Sequence, residues 1–237
     1  MNITTAVIIA GGKGSRLEEH TEDLPKPLVP IGGIPILERI LNWLKKNGIK
    51  RVIIGVAYKK EMVMNYFGDG EEFGLKITYI EHDENGGTED AFKTDIEKSE
   101  IDDENFFAMN GDQVTNLDLG KLSEFHTANK GIATIVTVNL KTNFGVIDSN
   151  ENNQIIKFQE KGEVKDKKIN SGIYVFNKKI KEFLTRGNIE ENTFKKLCEE
   201  KKLYSFYHEG IWFTVNDKKE LKKAESFLNE NGEGVLK

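Results

Sequence analysis

"TAVIIAGGKGSR", residues 5–16, decides the fold. Its first half is apolar and mostly β-branched, which suits a buried strand, and the run stops abruptly at glycines. Gly11, Gly12 and Gly14 let the backbone take positive φ and approach a ligand closely. Successive N–H groups in such a loop form a concavity for an anion, and the start of a following helix adds its dipole. Lys13 and Arg16 bring positive charge to the same place. A triphosphate is the expected guest. The spacing is not that of a P-loop, which needs four residues between its first glycine and Gly-Lys-Ser/Thr. It is not a Rossmann dinucleotide fingerprint either. Leu17 follows Arg16 where a glycine would be needed, and "GVAYKK" offers no carboxylate for a ribose diol after the second strand.

Outward from this stretch, strands and helices alternate. "PILERILNWLKKNG" (35–48) is a helix with Ile36, Leu37, Ile40, Leu41 and Leu44 on one face, Pro35 in the first turn and Gly48 beyond the last. "RVIIGV" (51–56), "LKITYIE" (75–81) and "NFFAMN" (105–110) are strands. "KKEMVMNYFGDG" (59–70) and "EDAFKTDIEKS" (89–99) are the helices between them, the latter capped by Thr88. Such alternation predicts a parallel sheet covered by helices. The second half reads as four strands with short links at 132–140, 144–149, 153–160 and 169–177. A helix pair, "LYSFYHEGIWFTV" (203–215) and an amphipathic final helix come after them. No linker or repeat divides the chain, so residues 1–237 are read as one domain.

The composition excludes several classes. With 237 residues, net charge −5 and 38% hydrophobic residues, and a mean hydropathy of −0.50, the chain has no basic footprint for nucleic acid or an anionic membrane. The single Cys198 forms no internal disulfide and suits a reducing compartment. The start has no basic segment before a long apolar run, so a cytoplasmic protein is expected. Oligomeric state, a homo-oligomer included, is left open. His20, His82, His126 and His208 lack ligand spacing, which argues against a zinc or iron site.

All four prolines of the chain lie in "LPKPLVPIGGIP" (24–35). Pro25 and Pro27 bracket Lys26 and fix φ on both sides of it, Pro30 continues an extended path, and Pro35 begins the helix. The lysine is thereby expected on a stiff arm with little ordering entropy left to lose.

"AGGKGSRL" followed by "LPKPLVPIGGIPIL" resembles the signature of the sugar-1-phosphate nucleotidylyltransferases. Further matches come in order: "GGTEDAF" (86–92), "NGD" (110–112), "FQEKG" (158–162) and "NSGIYVF" (170–176). The resemblance implies an α/β fold, three-layer and Rossmann-like (GT-A-type), with a mixed, mostly parallel sheet flanked by helices. It implies a Mg²⁺-assisted reaction of an NTP with a sugar 1-phosphate, hexose or heptose, giving an NDP-sugar and pyrophosphate. By the same resemblance Ala10, Gly11, Gly12, Gly14 and Ser15 wrap the triphosphate, while Gly87 and Thr88 line the base. Arg16 stabilises the departing pyrophosphate, and Lys26 holds phosphate oxygens at the reacting centre. Gly145, Glu160, Lys161, Asn170 and Gly172 serve the sugar phosphate, with Lys161 on its phosphate.

The metal is expected on Asp112, placed just after a strand end. The family's second metal ligand is an Asp in a Trp-x-Asp pattern. Here "WFTVND" (212–217) puts Thr214 in that place. Residues 214 and 216 share a strand face, so Asn216 is the expected metal ligand through its amide oxygen. Capping of the final helix by Asn216 or Asp217 is the competing use. Glu89 and Asp90 replace the small residues usual after Thr88, which leaves the choice of base open. The other functional readings are a cytidylyltransferase acting on an alcohol phosphate such as phosphocholine, a GT-A glycosyltransferase, and a non-catalytic nucleotide-sugar-binding regulatory protein. "NGDQV" lacks the Asp-x-Asp of the glycosyltransferase reading, whereas Thr214 favours the regulatory one.

Overall fold

The computed structural model describes residues 3–20 and 23–236. The apolar run that opens the chain is strand β1 (Thr5–Ile9), buried through Ile8. The prolines shape the segment after the glycine loop. Lys26–Leu28 is a 3-10 turn rather than an extended arm. After it, β2 (Pro30–Ile31) and β3 (Ile34–Pro35) pair as a minimal hairpin around Gly32 and Gly33, both at positive φ. Pro35 at φ −51° leads into α1 (Ile36–Lys46).

The alternation continues with β4 (Arg51–Val56), α2 (Lys60–Phe67), β5 (Lys76–Glu81), α3 (Thr88–Lys98) and β6 (Asn105–Asn110). Then come β7 (Gln113–Thr115), α4 (Leu119–Asn129), β8 (Ala133–Ser149), β9 (Ile155–Asn177), α5 (Thr193–Glu199), β10 (Leu203–Tyr207), β11 (Trp212–Thr214) and α6 (Lys218–Asn231). The main sheet has seven strands in the order β10-β8-β9-β6-β1-β4-β5. β9 alone runs against its neighbours; the β1–β4, β1–β6, β4–β5 and β8–β10 pairs are parallel.

Side-chain alternation along the strands gives the sheet two buried faces. Ala6, Ile8, Val52, Ile54 and Phe107 pack with Leu37, Ile40 and Leu44 of α1 and with Leu221 and Leu228 of α6. Val7, Ile53, Phe106, Tyr174 and Phe176 pack with Phe92 of α3 and with Phe194 and Leu197 of α5. The result is the expected three-layer α/β sandwich with a mixed, mostly parallel sheet.

Three further expectations are corrected. The four strands of the second half are two long ones, β8 and β9, joined as one hairpin with register shifts at four places. α4 is an additional helix; Asp118 caps it by accepting from Lys121 N–H. Thr88 does not cap α3. Gly87 stands at that position, with its N–H donating to Asp90. The Thr88 hydroxyl instead accepts from Ile189 N–H and donates to Glu190. Among the described residues, no helix is long and apolar enough to cross a membrane.

Candidate active site

β1 and β6 end side by side, and their connecting loops form the floor of a pocket of about 250 Å³. Ile9 to Gly12 line it with Lys26, His82, Gly86 to Thr88, Ala91 and Asn110 to Asp112. Backbone bonds fix the loop: Ala10 N–H donates to Gly55 carbonyl at 2.8 Å, and Gly111 N–H donates to Ile9 carbonyl at 2.9 Å. Gly14 takes φ 65° as the loop closes. Ser15 and Arg16 are exposed at the start of a 3-10 turn, Ser15–His20. The α-helical dipole expected after the loop is therefore reduced to a short turn. Lys13 pairs with Glu84 at 3.0 Å at the pocket rim.

Lys26, Asp112 and Asn216 come from three distant parts of the chain and meet at one point. Lys26 Nζ lies 2.5 Å from Asp112 Oδ2 and 3.0 Å from Asn216 Oδ1. The other carboxylate oxygen, Asp112 Oδ1, accepts from Gln113 Nε2 at 2.5 Å. The two candidate uses of the 214–217 stretch are divided between residues. Asp217 caps α6, accepting from Glu220 N–H at 2.8 Å. Asn216 is left to the pocket, and its backbone N–H donates to Glu220 at 2.7 Å. Thr214, which stands where the family has an Asp, accepts from Asn216 Nδ2 at 2.8 Å. That bond turns the amide oxygen of Asn216 towards Lys26 and Asp112.

Two oxygen donors thus converge on one cationic group, and a hard divalent ion suits the same pair. Among the described residues there is no group of three or more His, Cys, Asp or Glu side chains that could hold a metal. One carboxylate and one amide oxygen leave most of a coordination shell to water and phosphate, which is the habit of Mg²⁺. These residues fit that ion.

Towards β9, Gly172 at φ 78° lies against Asn110 and Gln113, and a Cβ there would stand 2.8 Å from Asn110 Nδ2. Asn170 accepts from Gly172 N–H and donates to Tyr174 hydroxyl, both at 2.9 Å. Gly145 and Glu160 are exposed partners on the β8–β9 hairpin and do not line the pocket. Lys161 belongs to β9, but its side chain lies outside the described residues. Of the expected residues, then, Ala10, Gly11, Gly12, Lys26, Gly87, Thr88 and Asp112 share one pocket, and Asn216 adjoins it.

The sequence reading missed two groups. Glu89, a departure beside the base in the sequence, is completely buried and turned to other partners. Its carboxyl accepts from Thr185 N–H, Thr193 hydroxyl and Asn192 amide, while Asp90 accepts from Gly187 N–H. Together they bind the 185–193 segment to the start of α3. The other missed pair is His82 and Asp95, whose side chains lie 3.7 Å apart. Burial lowers the imidazole pKa and pushes the Asp95 carboxyl up to about 8.

The nucleotidyl transferase family model matches residues 5–231, and the chain belongs to that family. It is 32% identical over 228 residues to a D-glycero-alpha-D-manno-heptose 1-phosphate guanylyltransferase of Aneurinibacillus thermoaerophilus, covering 94% of this chain and 97% of that protein. It is 34% identical to the bifunctional protein GlmU of Methanococcus aeolicus, covering 95% of this chain but only 54% of that protein. Among solved structures, HddC from Yersinia pseudotuberculosis superimposes with a TM-score of 0.74 at 25% identity, over 95% of this chain and all of HddC. The chain thus has the Rossmann-like, GT-A-type fold of this family and spans about half the length of several of the relatives it matches.

Proposed function

We propose that the chain transfers a nucleotidyl group from an NTP to a hexose or heptose 1-phosphate, with Mg²⁺, giving an NDP-sugar and pyrophosphate. The convergence of Lys26, Asp112 and Asn216 beside the glycine loop carries this reading. A phosphate oxygen of the sugar 1-phosphate attacks the α-phosphorus in line. The bond from that phosphorus to the oxygen bridging to the β-phosphate breaks, and pyrophosphate departs with the electron pair. The protein's share is positioning and charge neutralisation. The N–H groups of Gly11 and Gly12 face the triphosphate, and Arg16, exposed on the turn after the loop, neutralises the leaving pyrophosphate. Lys26 sits at the reacting centre and holds phosphate oxygens there. Asp112 and Asn216 would hold Mg²⁺, which when bound withdraws charge from the α-phosphate oxygens. Asn170, Gly172 and, from the hairpin, Gly145, Glu160 and Lys161 receive the sugar phosphate.

The substrates are small molecules, and the lone exposed Cys198 suits a reducing cytoplasm. Pyrophosphate release, measured with Mg²⁺ over a panel of NTPs and sugar 1-phosphates, tests the reading. Release with one or a few pairs is expected. No release with any pair, together with tight binding of an NDP-sugar, would instead identify a regulatory binding protein.

A further inference from the structure

Beneath the glycine loop lies a pair of ionisable side chains that the nucleotidyl transfer itself does not use. Asp95 on α3 is completely buried, and neither of its carboxyl oxygens has a hydrogen-bond partner. Its Oδ1 lies 3.7 Å from Nδ1 of His82, which is also buried without a partner. Both side chains are seated against glycines. A Cβ on Gly55 would collide with the Asp95 carboxyl, and one on Gly11 would collide with His82 Nε2. The imidazole therefore has two distinct edges. Nδ1 faces Asp95 inside the protein, and Nε2 lies at Gly11, where the ring lines the pocket together with Ala10, Gly87 and Thr88.

We propose that Asp95 is a positioning residue for the nucleotide: its carboxylic acid O–H donates to His82 Nδ1 and fixes the tautomer in which Nε2–H offers a hydrogen bond to a base carbonyl. The carbonyl is O6 of guanine or O4 of uracil or thymine. Adenine and cytosine present an amino group at the matching place, so two donors would face each other there. The inference rests on the nucleotide reading of this pocket. The protonation states follow from burial, which keeps the carboxyl protonated and the imidazole neutral at pH 7. The charged groups that act on the pair are Asp83, which favours the imidazolium, and Lys98, which opposes it and favours the carboxylate. A separation of 3.7 Å is too long for a hydrogen bond, and such contacts tighten when ligand fills a site.

The test is equilibrium binding by calorimetry, which does not require turnover, comparing bases of equal ring size: GTP with ATP, and UTP with CTP. The wild type should favour the carbonyl-bearing member of at least one pair by about tenfold or more. Asp95→Leu removes the donor to Nδ1 and should erase about tenfold of that ratio, leaving the KM of the sugar phosphate unchanged. Asp95→Asn keeps an N–H that can donate to Nδ1 and should retain most of the ratio. If Asp95→Leu does not fold, His82→Leu reads the same loss from the ring side. An unchanged ratio in these variants overturns the inference, as does equal weakening for every nucleotide or a wild type that prefers ATP or CTP. Failure of the functional reading would look different, as base-selective binding without pyrophosphate release from any substrate pair.

Discussion

Thr214 shows what one residue's chemistry does and does not disclose. In the sequence it is a carboxylate lost from a metal site. In the structure it is the hydroxyl that orients Asn216, so the amide oxygen and Asp112 face the same point. Asn216→Ala should lower kcat at limiting Mg²⁺ and raise the Mg²⁺ concentration for half-maximal rate. Thr214→Val should do the same more weakly, by about 1 kcal/mol, the worth of one hydrogen bond. A Mg²⁺ titration of both variants checks this, and identical curves for wild type and Asn216→Ala would remove Asn216 from the site. Lys26 is legible as a cation on a proline-stiffened segment, but its partners are not. They lie 86 and 190 residues away, and nothing in a linear pattern links them. Lys26→Ala should abolish most turnover. Because Asp112 keeps its hydrogen bond from Gln113 Nε2, the melting temperature should fall by several degrees at most.

The elements that the sequence shows well are those with strong local signals. β1, α1, β4, β5 and β6 each carry a buried run or a helical period bounded by glycine, and each lies where the pattern puts it. β8 and β9 read as four strands in the sequence because polar and glycine residues interrupt their alternation. Tertiary pairing carries both strands through those interruptions with register shifts. The clamp between α3 and the 185–193 segment has no local signal at all, since Glu89 reads as a surface acid until its partners from 185 to 193 are placed around it. Glu89→Ala would remove the acceptor of Thr185 N–H and one of two acceptors from Asn192 and from Thr193, which keep the carbonyls of Arg186 and Phe183. It should cost about 1–2 kcal/mol in urea unfolding. The KM of the NTP should rise while Mg²⁺ dependence stays as in wild type, because Gly87 and Thr88 sit on the clamped end of α3. A variant as stable as wild type would show that the segment is held by other contacts.

Over the whole molecule, two buried groups set opposing pH dependences of stability. Asp95 has its carboxyl pushed up to about 8 from 3.8, so the folded state holds a proton that the unfolded chain has released. Its contribution is therefore complete below about pH 4 and is lost as pH rises to about 8, at about 1.4 kcal/mol per pH unit. His126, hydrogen-bonded to Thr134 and Asn105, is pushed down by burial to about 4 from 6.5. Here the unfolded chain takes up the proton first, so stability is complete above pH 6.5 and lost as pH falls to about 4. His82 and His208 are shifted in the same direction by burial. Between about pH 4 and 6.5 the two slopes oppose each other, and above pH 6.5 only the Asp95 slope remains. Urea midpoints of the wild type should thus not fall up to about pH 6.5, where His82 and His208 add to the His126 slope, and should fall from there to about pH 8. Asp95→Asn removes the falling limb, so its midpoint should rise from about pH 4 to 6.5 and then stay level, leaving it the more stable protein at about pH 8. A wild-type midpoint that does not fall between about pH 6.5 and 8 would mean that Asp95 is ionised in the folded state. The carboxylate would then accept from His82 Nδ1–H, and the tautomer of the ring would be the opposite one. A buried acid that one amide substitution would make less costly is a residue kept for something other than stability, and the imidazole beside it lines the pocket at the glycine loop.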